Sequence, residues 1–397
     1  MKQLVMNRQS SFVVDAWTAK RVDIQSVDLW EVHSADNKGS DAIIRQLPGL
    51  LLPWYWEHAR DLQWRSDREP YHVWLSEIML QQTRVDTVKE YYRRFLERYP
   101  TVADLACADE EQVIKLWEGL GYYSRARNLH KTALIIHNEY NGQFPSEIKL
   151  LRSLPGIGDY SSGAIASICF EQPTPAVDGN VLRIISRITE DYRSIDDSAY
   201  KKDIVARLAA VYPTTNRGDF TQSLMELGAT ICLPNGLPLC ELCPAVKICK
   251  ARQNDCIAQL PVKNKKAARK NESRTALILY CNGKTAIRKR TEKGVLRGLW
   301  EFPNVGGSLS ADEACSIAAS LGTGATTVMH AVQGKHIFTH IEWNLQCYYL
   351  QCTQTPSIFE WVDAATLADI VALPTAFKKF WIPDYGSSGS PVCGSYL

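Results

Sequence analysis

Two carboxylates and four thiols carry the chemistry legible in this chain. Glu77 stands in V-W-L-S-E-I-M-L, among Val73, Trp74, Leu75, Ile78, Met79 and Leu80. Desolvation in that setting favours the neutral acid and raises its pKa, whereas on the exposed face of an apolar helix the same glutamate is inert. Asp178 stands in A-V-D-G-N-V-L-R-I, beside a glycine turn and just ahead of an amphipathic segment. It reads as a helix N-cap satisfying free amides, or as a functional carboxylate whose ionised form those amides hold. Brought together over a nucleoside in a DNA-binding context, the two supply a proton donor and an anion for an oxocarbenium-like transition state, the needs of glycosidic bond cleavage.

The thiols are Cys232, Cys240, Cys243 and Cys249, inside C-L-P-N-G-L-P-L-C-E-L-C-P-A-V-K-I-C. Thiolates are soft ligands, so the clustering points to iron–sulfur or zinc. The other eight cysteines of the twelve lie singly, without the local spacing of a disulfide framework, which fits a reducing compartment. The first residues mix Lys2, Arg8 and Lys20 with Asp15, Asp23 and Asp28 and contain no signal-like apolar core, and no run reaches the length of a spanning helix. A soluble, intracellular protein is expected.

These groups need elements to position them. S-E-I-K-L-L-R-S-L-P-G-I-G-D-Y-S-S-G-A-I-A-S-I reads as helix, tight turn, helix. Leu154 closes the first helix, Gly156 and Gly158 are expected in backbone geometry forbidden to bulkier residues, and amides opening the second helix can hold a phosphate oxygen. A single G-x-G turn is more often structural. From Leu51 to about Ile231 the pattern turns helical, with segments such as V-W-L-S-E-I-M-L-Q-Q-T-R-V-D-T-V-K-E-Y-Y-R-R-F-L and D-E-E-Q-V-I-K-L-W carrying apolar residues three and four apart, which reads as mostly α. Nine Lys and Arg against Asp255 and Glu272 fall between Lys247 and Arg274, either a phosphate contact or a solvated linker. Beyond it T-A-L-I-L-Y-C, T-A-I-R-K-R and L-Q-C-Y-Y-L-Q-C read as strands and A-D-E-A-C-S-I-A-A-S-L as a helix. The length of 397 residues, the 45% apolar fraction and the net charge of +2 fit two or three globular domains and say little about partners. The expected division is a weakly structured extension over 1–45, a helical domain over 46–255, a basic linker over 256–272, an α+β domain over 273–384 and a flexible tail over 385–397.

L-P-G-I-G-D-Y, V-D-G-N-V and the four cysteines after M-E-L-G-A-T-I-C resemble the helix-hairpin-helix DNA glycosylase superfamily with a [4Fe-4S] cluster. W-L-S-E-I-M-L-Q-Q-T-R-V and G-L-G-Y-Y-S-R-A-R-N-L narrow the resemblance to the adenine DNA glycosylase (MutY) family, whose substrate is adenine mispaired with 8-oxoguanine. The resemblance implies a mainly α helix-hairpin-helix domain bearing the cluster and a Nudix-like C-terminal domain, the latter through R-G-L-W-E-F-P and H-I-F-T-H-I. It makes Glu77 the acid that protonates the leaving adenine, Asp178 the carboxylate facing the cationic sugar and Asn180 its hydrogen-bonding partner. Tyr160 stands where related endonuclease III enzymes carry a nucleophilic lysine, so monofunctional base excision is expected.

The same resemblance maps an adenine pocket onto Arg60, Trp64, Arg65, Leu80 and Gln222, and contacts near the damaged guanine onto Gln82, Thr83 and Leu120, with Tyr122 as the wedge into the base stack. Without it, these residues read as core packing or surface polarity. Leu154, Gly156 and Gly158 become DNA contacts, and Phe338, Thr339 and His340 fill the family's Phe-Ser-His loop, with a methyl added by Thr339. The cysteines become cluster ligands, although seven residues separate Cys232 from Cys240 where the family usually has six, and a four-thiolate zinc site is the alternative. The helix A-D-E-A-C-S-I-A-A-S-L lacks a Nudix R-E-x-x-E-E box, so nucleotide hydrolysis is not expected. The expected partner is double-stranded DNA with an adenine:8-oxoguanine or adenine:guanine mismatch, met by a monomer with no membrane association, cytoplasmic and nucleoid-associated in a bacterium. The rival functions are another mismatch or oxidised-pyrimidine glycosylase of the superfamily and a non-catalytic iron–sulfur DNA-binding protein.

Overall fold

In the computed structural model, residues 38–265 and 268–383 are described. The expected tail and residues 1–37 of the expected extension lie outside them. The helical part runs α1 (Lys38–Ile44), α2 (Leu47–His58), α3 (Pro70–Leu80), α4 (Val85–Arg98), α5 (Val102–Ala106), α6 (Glu110–Leu116), α7 (Ser124–Glu139), α8 (Ile148–Ser153), α9 (Asp159–Phe170), α10 (Gly179–Thr189), α11 (Ser198–Ala209), α12 (Arg217–Thr230) and α13 (Lys250–Gln253). Local signals start several of them. Pro70 opens α3 where a missing N–H is harmless, Asp109 caps α6, and Thr101 with Asp104 forms a capping box on α5.

The helices bury two apolar cores. Trp74, Phe95 and Trp117 sit in one, built mainly from α3 to α9. Val181, Ile185 and Phe220 sit in the other, built from α1, α2 and α10 to α12. Between them lies a small cluster of Val73, Ala164, Ile168 and Ala176, against which Tyr160 and Met225 pack. Gly228 allows the tight approach of α12 to α10, because a Cβ there would stand 2.9 Å from Asn180 Cβ.

Two boundaries differ from the sequence expectation. Residues 38–45, assigned to the extension, include α1, whose Ile44 is buried and whose Asp41 accepts from Arg207 Nε at 2.7 Å. At the other end Cys256 and Leu260, assigned to the linker, are buried against Ala251. In both places a few apolar side chains find a surface that periodicity over so short a stretch does not register.

The second part is a mixed sheet with strand order β3–β2–β1–β6–β5. Its strands are β1 (Lys270–Cys281), β2 (Lys284–Lys289), β3 (Trp300–Glu301), β4 (Asn304–Gly306), β5 (Thr327–Ile337), β6 (Ile341–Gln351) and β7 (Glu360–Asp363). β1 and β6 run parallel from Lys270↔Ile341 to Tyr280↔Gln351, while β4 pairs with β1 and β7 with β2. α14 (Ala311–Ala318) covers one face, and α15 (Ala364–Asp369) and α16 (Thr375–Lys378) cover the other. The two parts touch through charged groups: Lys115 Nζ donates to Ala368 O at 2.6 Å and Val371 O at 2.8 Å, and Trp300 Nε1 donates to Glu111 Oε2 at 3.0 Å. No helix among the described residues is long and apolar enough to cross a membrane.

Candidate active site

Glu77 lies on α3 with only 6% of its surface exposed, which rules out the exposed-face alternative. Burial above all, with the Asp178 charge added, pushes its carboxyl up to about 7, against a hydrogen bond from Tyr160 and the Arg65 charge that pull it down. Tyr160, in the first turn of α9, is held protonated well above the usual phenol range by burial and then by the Glu77 and Asp178 charges. Asp178 caps α10. Its Oδ1 accepts from Asn180 N and Val181 N, both at 2.9 Å, and its Oδ2 from Asn180 Nδ2 at 2.7 Å. The N-cap reading is thus realised, with both carboxylate oxygens engaged by the start of α10.

Glu77, Tyr160, Asp178 and Asn180 line one cavity of about 210 Å³ at the seam between the two helical cores. Arg60, Trp64, Arg65, Leu80 and Gln222 line it too, and so does Thr83. Gln82 and Leu120, also expected on the guanine side, do not line it. Gln82 is in the turn after α3 with φ +58°, and Tyr122 has φ +47° and is 47% exposed. The Tyr122 hydroxyl donates to Gln82 Oε1 at 2.6 Å and lies 2.5 Å from Thr339 Oγ1. Phe338, Thr339 and His340 form the loop between β5 and β6; Phe338 packs edge-on against Trp343 at 4.9 Å while the other two are exposed. Leu120 is buried in the core beside the same turn.

The hairpin joins α8 to α9. Leu154 follows the last turn of α8 in extended geometry, and Gly156 adopts φ +77°, as expected. Gly158 does not need the freedom expected of it: its φ of −92° and ψ of −171° are open to any residue. Nothing lies within 4 Å of the place a Cβ would take, so bareness at the start of α9, rather than backbone strain, distinguishes it.

Three polar side chains decisive for this geometry escaped the sequence reading. Arg125, on α7, donates to Ile78 O, Met79 O and Gln81 O at 2.8 to 2.9 Å and to Leu120 O and Gly121 O at 3.0 and 3.1 Å. Glu226, one helical turn beyond Gln222 on α12, accepts from Arg60 Nε at 2.6 Å, Arg60 Nη2 at 3.0 Å and Arg65 Nη2 at 2.7 Å. Burial opposes its charge, but the two guanidiniums prevail and hold its carboxyl below the ordinary range. Arg183 donates to Asn180 Oδ1 at 3.0 Å and to Cys232 O at 2.9 Å. The available signal was position: Arg125 is four residues before Leu129 and Glu226 four after Gln222, each on a buried stripe.

Cys232, Cys240, Cys243 and Cys249 line a second pocket with Arg187, whose Nη1 donates to Cys232 Sγ at 3.3 Å. The extra residue of the first gap bulges outward: Leu237 is 90% exposed while Leu239 N pairs with Ile231 O at 3.0 Å. Among the described residues no three or more His, Cys, Asp or Glu side chains converge tightly enough to hold a single metal ion.

Against known proteins, the chain is 34% identical to the adenine DNA glycosylase of Mus musculus over 86% of its own length and 80% of that protein, and 33% identical to that of Homo sapiens over 87% and 75%. The chain belongs to the adenine DNA glycosylase family. Residues 75–209 match the family described as HhH-GPD superfamily base excision DNA repair protein, and residues 274–382 match the NUDIX domain. A thermostable thymine-DNA glycosylase of known structure is 28% identical with a TM-score of 0.47, covering 56% of this chain and 100% of its own. As an adenine DNA glycosylase, the protein is a base-excision-repair enzyme that binds DNA and hydrolyses the N-glycosidic bond of adenine, with a helix-hairpin-helix domain joined to a Nudix-like one.

Proposed function

We propose that this adenine DNA glycosylase removes adenine mispaired with 8-oxoguanine or guanine, with Glu77 as the acid and Asp178 as the carboxylate facing the sugar. The observation that carries the reading is the shared cavity. It holds one carboxyl that burial pushes up to about 7, able to give a proton, and a second, Asp178, already engaged by three N–H donors of its own helix start. A base must leave the duplex to reach them, at a cost of a few kcal/mol in unstacking and unpairing. Glu77 gives its proton to a ring nitrogen of the extruded adenine. The C1′–N9 bond breaks with its electron pair going to the base, and the cationic sugar forms opposite Asp178, which Asn180 orients. Water then adds to C1′ and loses its proton to the Glu77 carboxylate, leaving free adenine and an abasic site. With Tyr160 in place of an amine, no Schiff base forms and the strand stays intact.

Tyr122 supports the opposite-base assignment, because its hydroxyl links Gln82, in the turn after α3, to Thr339 of the second domain. The four cysteines fit a [4Fe-4S] cluster: soft thiolates line one pocket, with the Arg187 guanidinium available to a group of net negative charge. Such a cluster would tie the loop after α12 together and present Lys247, Lys250 and Arg252 to phosphates. A single-turnover assay on duplexes with adenine opposite 8-oxoguanine, guanine or thymine tests the reading. Release of adenine from the first two is expected, with an intact strand, and no release from the oxidised mismatch rules it out.

A further inference from the structure

We propose that Glu226 is a positioning residue for the reaction: it holds the Arg60 and Arg65 guanidiniums against α12 and so keeps them from pairing with Glu77. The inference rests on the reading of Glu77 as the acid. Glu226 is fully buried and does not line the cavity, whereas Arg60, Arg65 and Glu77 all do. Its Oε1 takes Arg60 Nε at 2.6 Å and the Arg60 backbone N–H at 3.2 Å, and its Oε2 takes Arg60 Nη2 at 3.0 Å and Arg65 Nη2 at 2.7 Å. Arg65 Nη1 donates to Arg60 O at 3.3 Å, and its guanidinium lies 5.7 Å from the centre of the Tyr55 ring. One carboxylate thus fixes two cations in the wall of the cavity.

Without that carboxylate, the guanidiniums would face the anions of the same cavity. Asp178 already accepts three N–H donors, so Glu77, with the Tyr160 hydroxyl as its donor, is the better acceptor. A paired Glu77 is an anion and has no proton to give. The charges acting on Glu77 are otherwise few: Asp178 favours its neutral form, Arg65 already opposes it, and the Cys169 thiol at the far end of α9 is pushed up mainly by burial with Glu69 and Glu77 contributing. Around Glu226 stand Arg60 and Arg65, with Tyr55 beyond them and Asp219 acting on Tyr55.

The test is the pH dependence of single-turnover adenine release by the full-length holoprotein. In the parent the rate should fall as pH rises through about 7, where the buried Glu77 carboxyl loses its proton. In Glu226→Gln the fall should come about one pH unit lower, leaving the rate near the parent's at pH ~5.5 and about tenfold below it at pH ~8. Arg65→Gln should move the fall to higher pH, and this second variant decides the matter if Glu226→Gln does not fold. A Glu226→Gln rate lowered by one factor at every pH, or an Arg65→Gln profile that stays in place, overturns the inference. Glu77→Gln separates the two readings: if it is inactive while the Glu226→Gln profile is unmoved, only the positioning role falls, and if it is fully active the acid assignment itself falls.

Discussion

Replacing Glu77 with Gln should abolish excision and stabilise the fold above neutral pH. The carboxyl rises from its ordinary 4.5 to about 7 on folding, because burial and then the nearby Asp178 charge disfavour the anion while Tyr160 and Arg65 only partly compensate. Between those two values the folded chain binds more protons than the unfolded one, so stability falls as pH rises through the window and is flat beyond it. At pH ~8 both states are ionised, and the penalty on the native state is about 3 kcal/mol at 1.36 kcal/mol per tenfold. Gln cannot ionise and keeps a carbonyl to accept from Tyr160. The variant should therefore match the parent at pH ~4.5 and exceed it by about 3 kcal/mol at pH ~8. Urea unfolding of both proteins at several pH values, followed by tryptophan fluorescence, measures the difference. A difference that does not change with pH would refute the claim that Glu77 is buried as an acid, whatever the effect on activity.

Thr339→Ala removes the hydroxyl that meets Tyr122 and should narrow the ratio of single-turnover rates on 8-oxoguanine and guanine mispairs more than it weakens duplex binding; an unchanged ratio counts against the loop's role. Arg125→Met leaves the carbonyls of Ile78, Met79, Gln81, Leu120 and Gly121 without their donor, at a cost of at least ~3 kcal/mol, and calorimetry should show a melting temperature about 6 to 12 °C lower. Cys243→Ser replaces a soft ligand with a hard one, so the purified protein should lose visible iron–sulfur absorption and bind duplex less tightly, and retention of the full spectrum would speak against this thiol as a ligand.

What the sequence left unread is mostly tertiary. Gln81, Gln82, Thr83 and Arg84 include no strong helix breaker, so the stretch V-W-L-S-E-I-M-L-Q-Q-T-R-V-D-T-V-K-E-Y-Y-R-R-F-L reads as one helical segment with no boundary marked inside it. The structure has two, α3 and α4. The break is made from outside: Arg125, more than forty residues away, takes the carbonyls of Ile78, Met79 and Gln81, capping α3 where the local chain offers no cap. That cap leaves Gln82 at φ +58° beside Tyr122. Asp178 was legible because its cap is local, written in two successive amides and a side chain two residues on. Glu226 was not, because its partners are about 160 residues away, and its place four residues after Gln222 marks burial without naming them.

The two carboxylates owe their different chemistry to supports that do not overlap. Asp178 is solvated by the beginning of α10, a device that moves with its own helix and needs nothing from the other core. Glu77 is set by what is withheld: it lies within α3, receives the Tyr160 hydroxyl from α9, and shares its cavity with cations that Glu226 occupies from α12. With Glu77 as the proposed acid, proton donation depends on both cores staying in register, whereas the donors on Asp178 all come from its own helix and move with it. Damage to the packing between α3, α9 and α12 should accordingly reach catalysis first through proton donation, and only later through the stabilisation of the sugar cation.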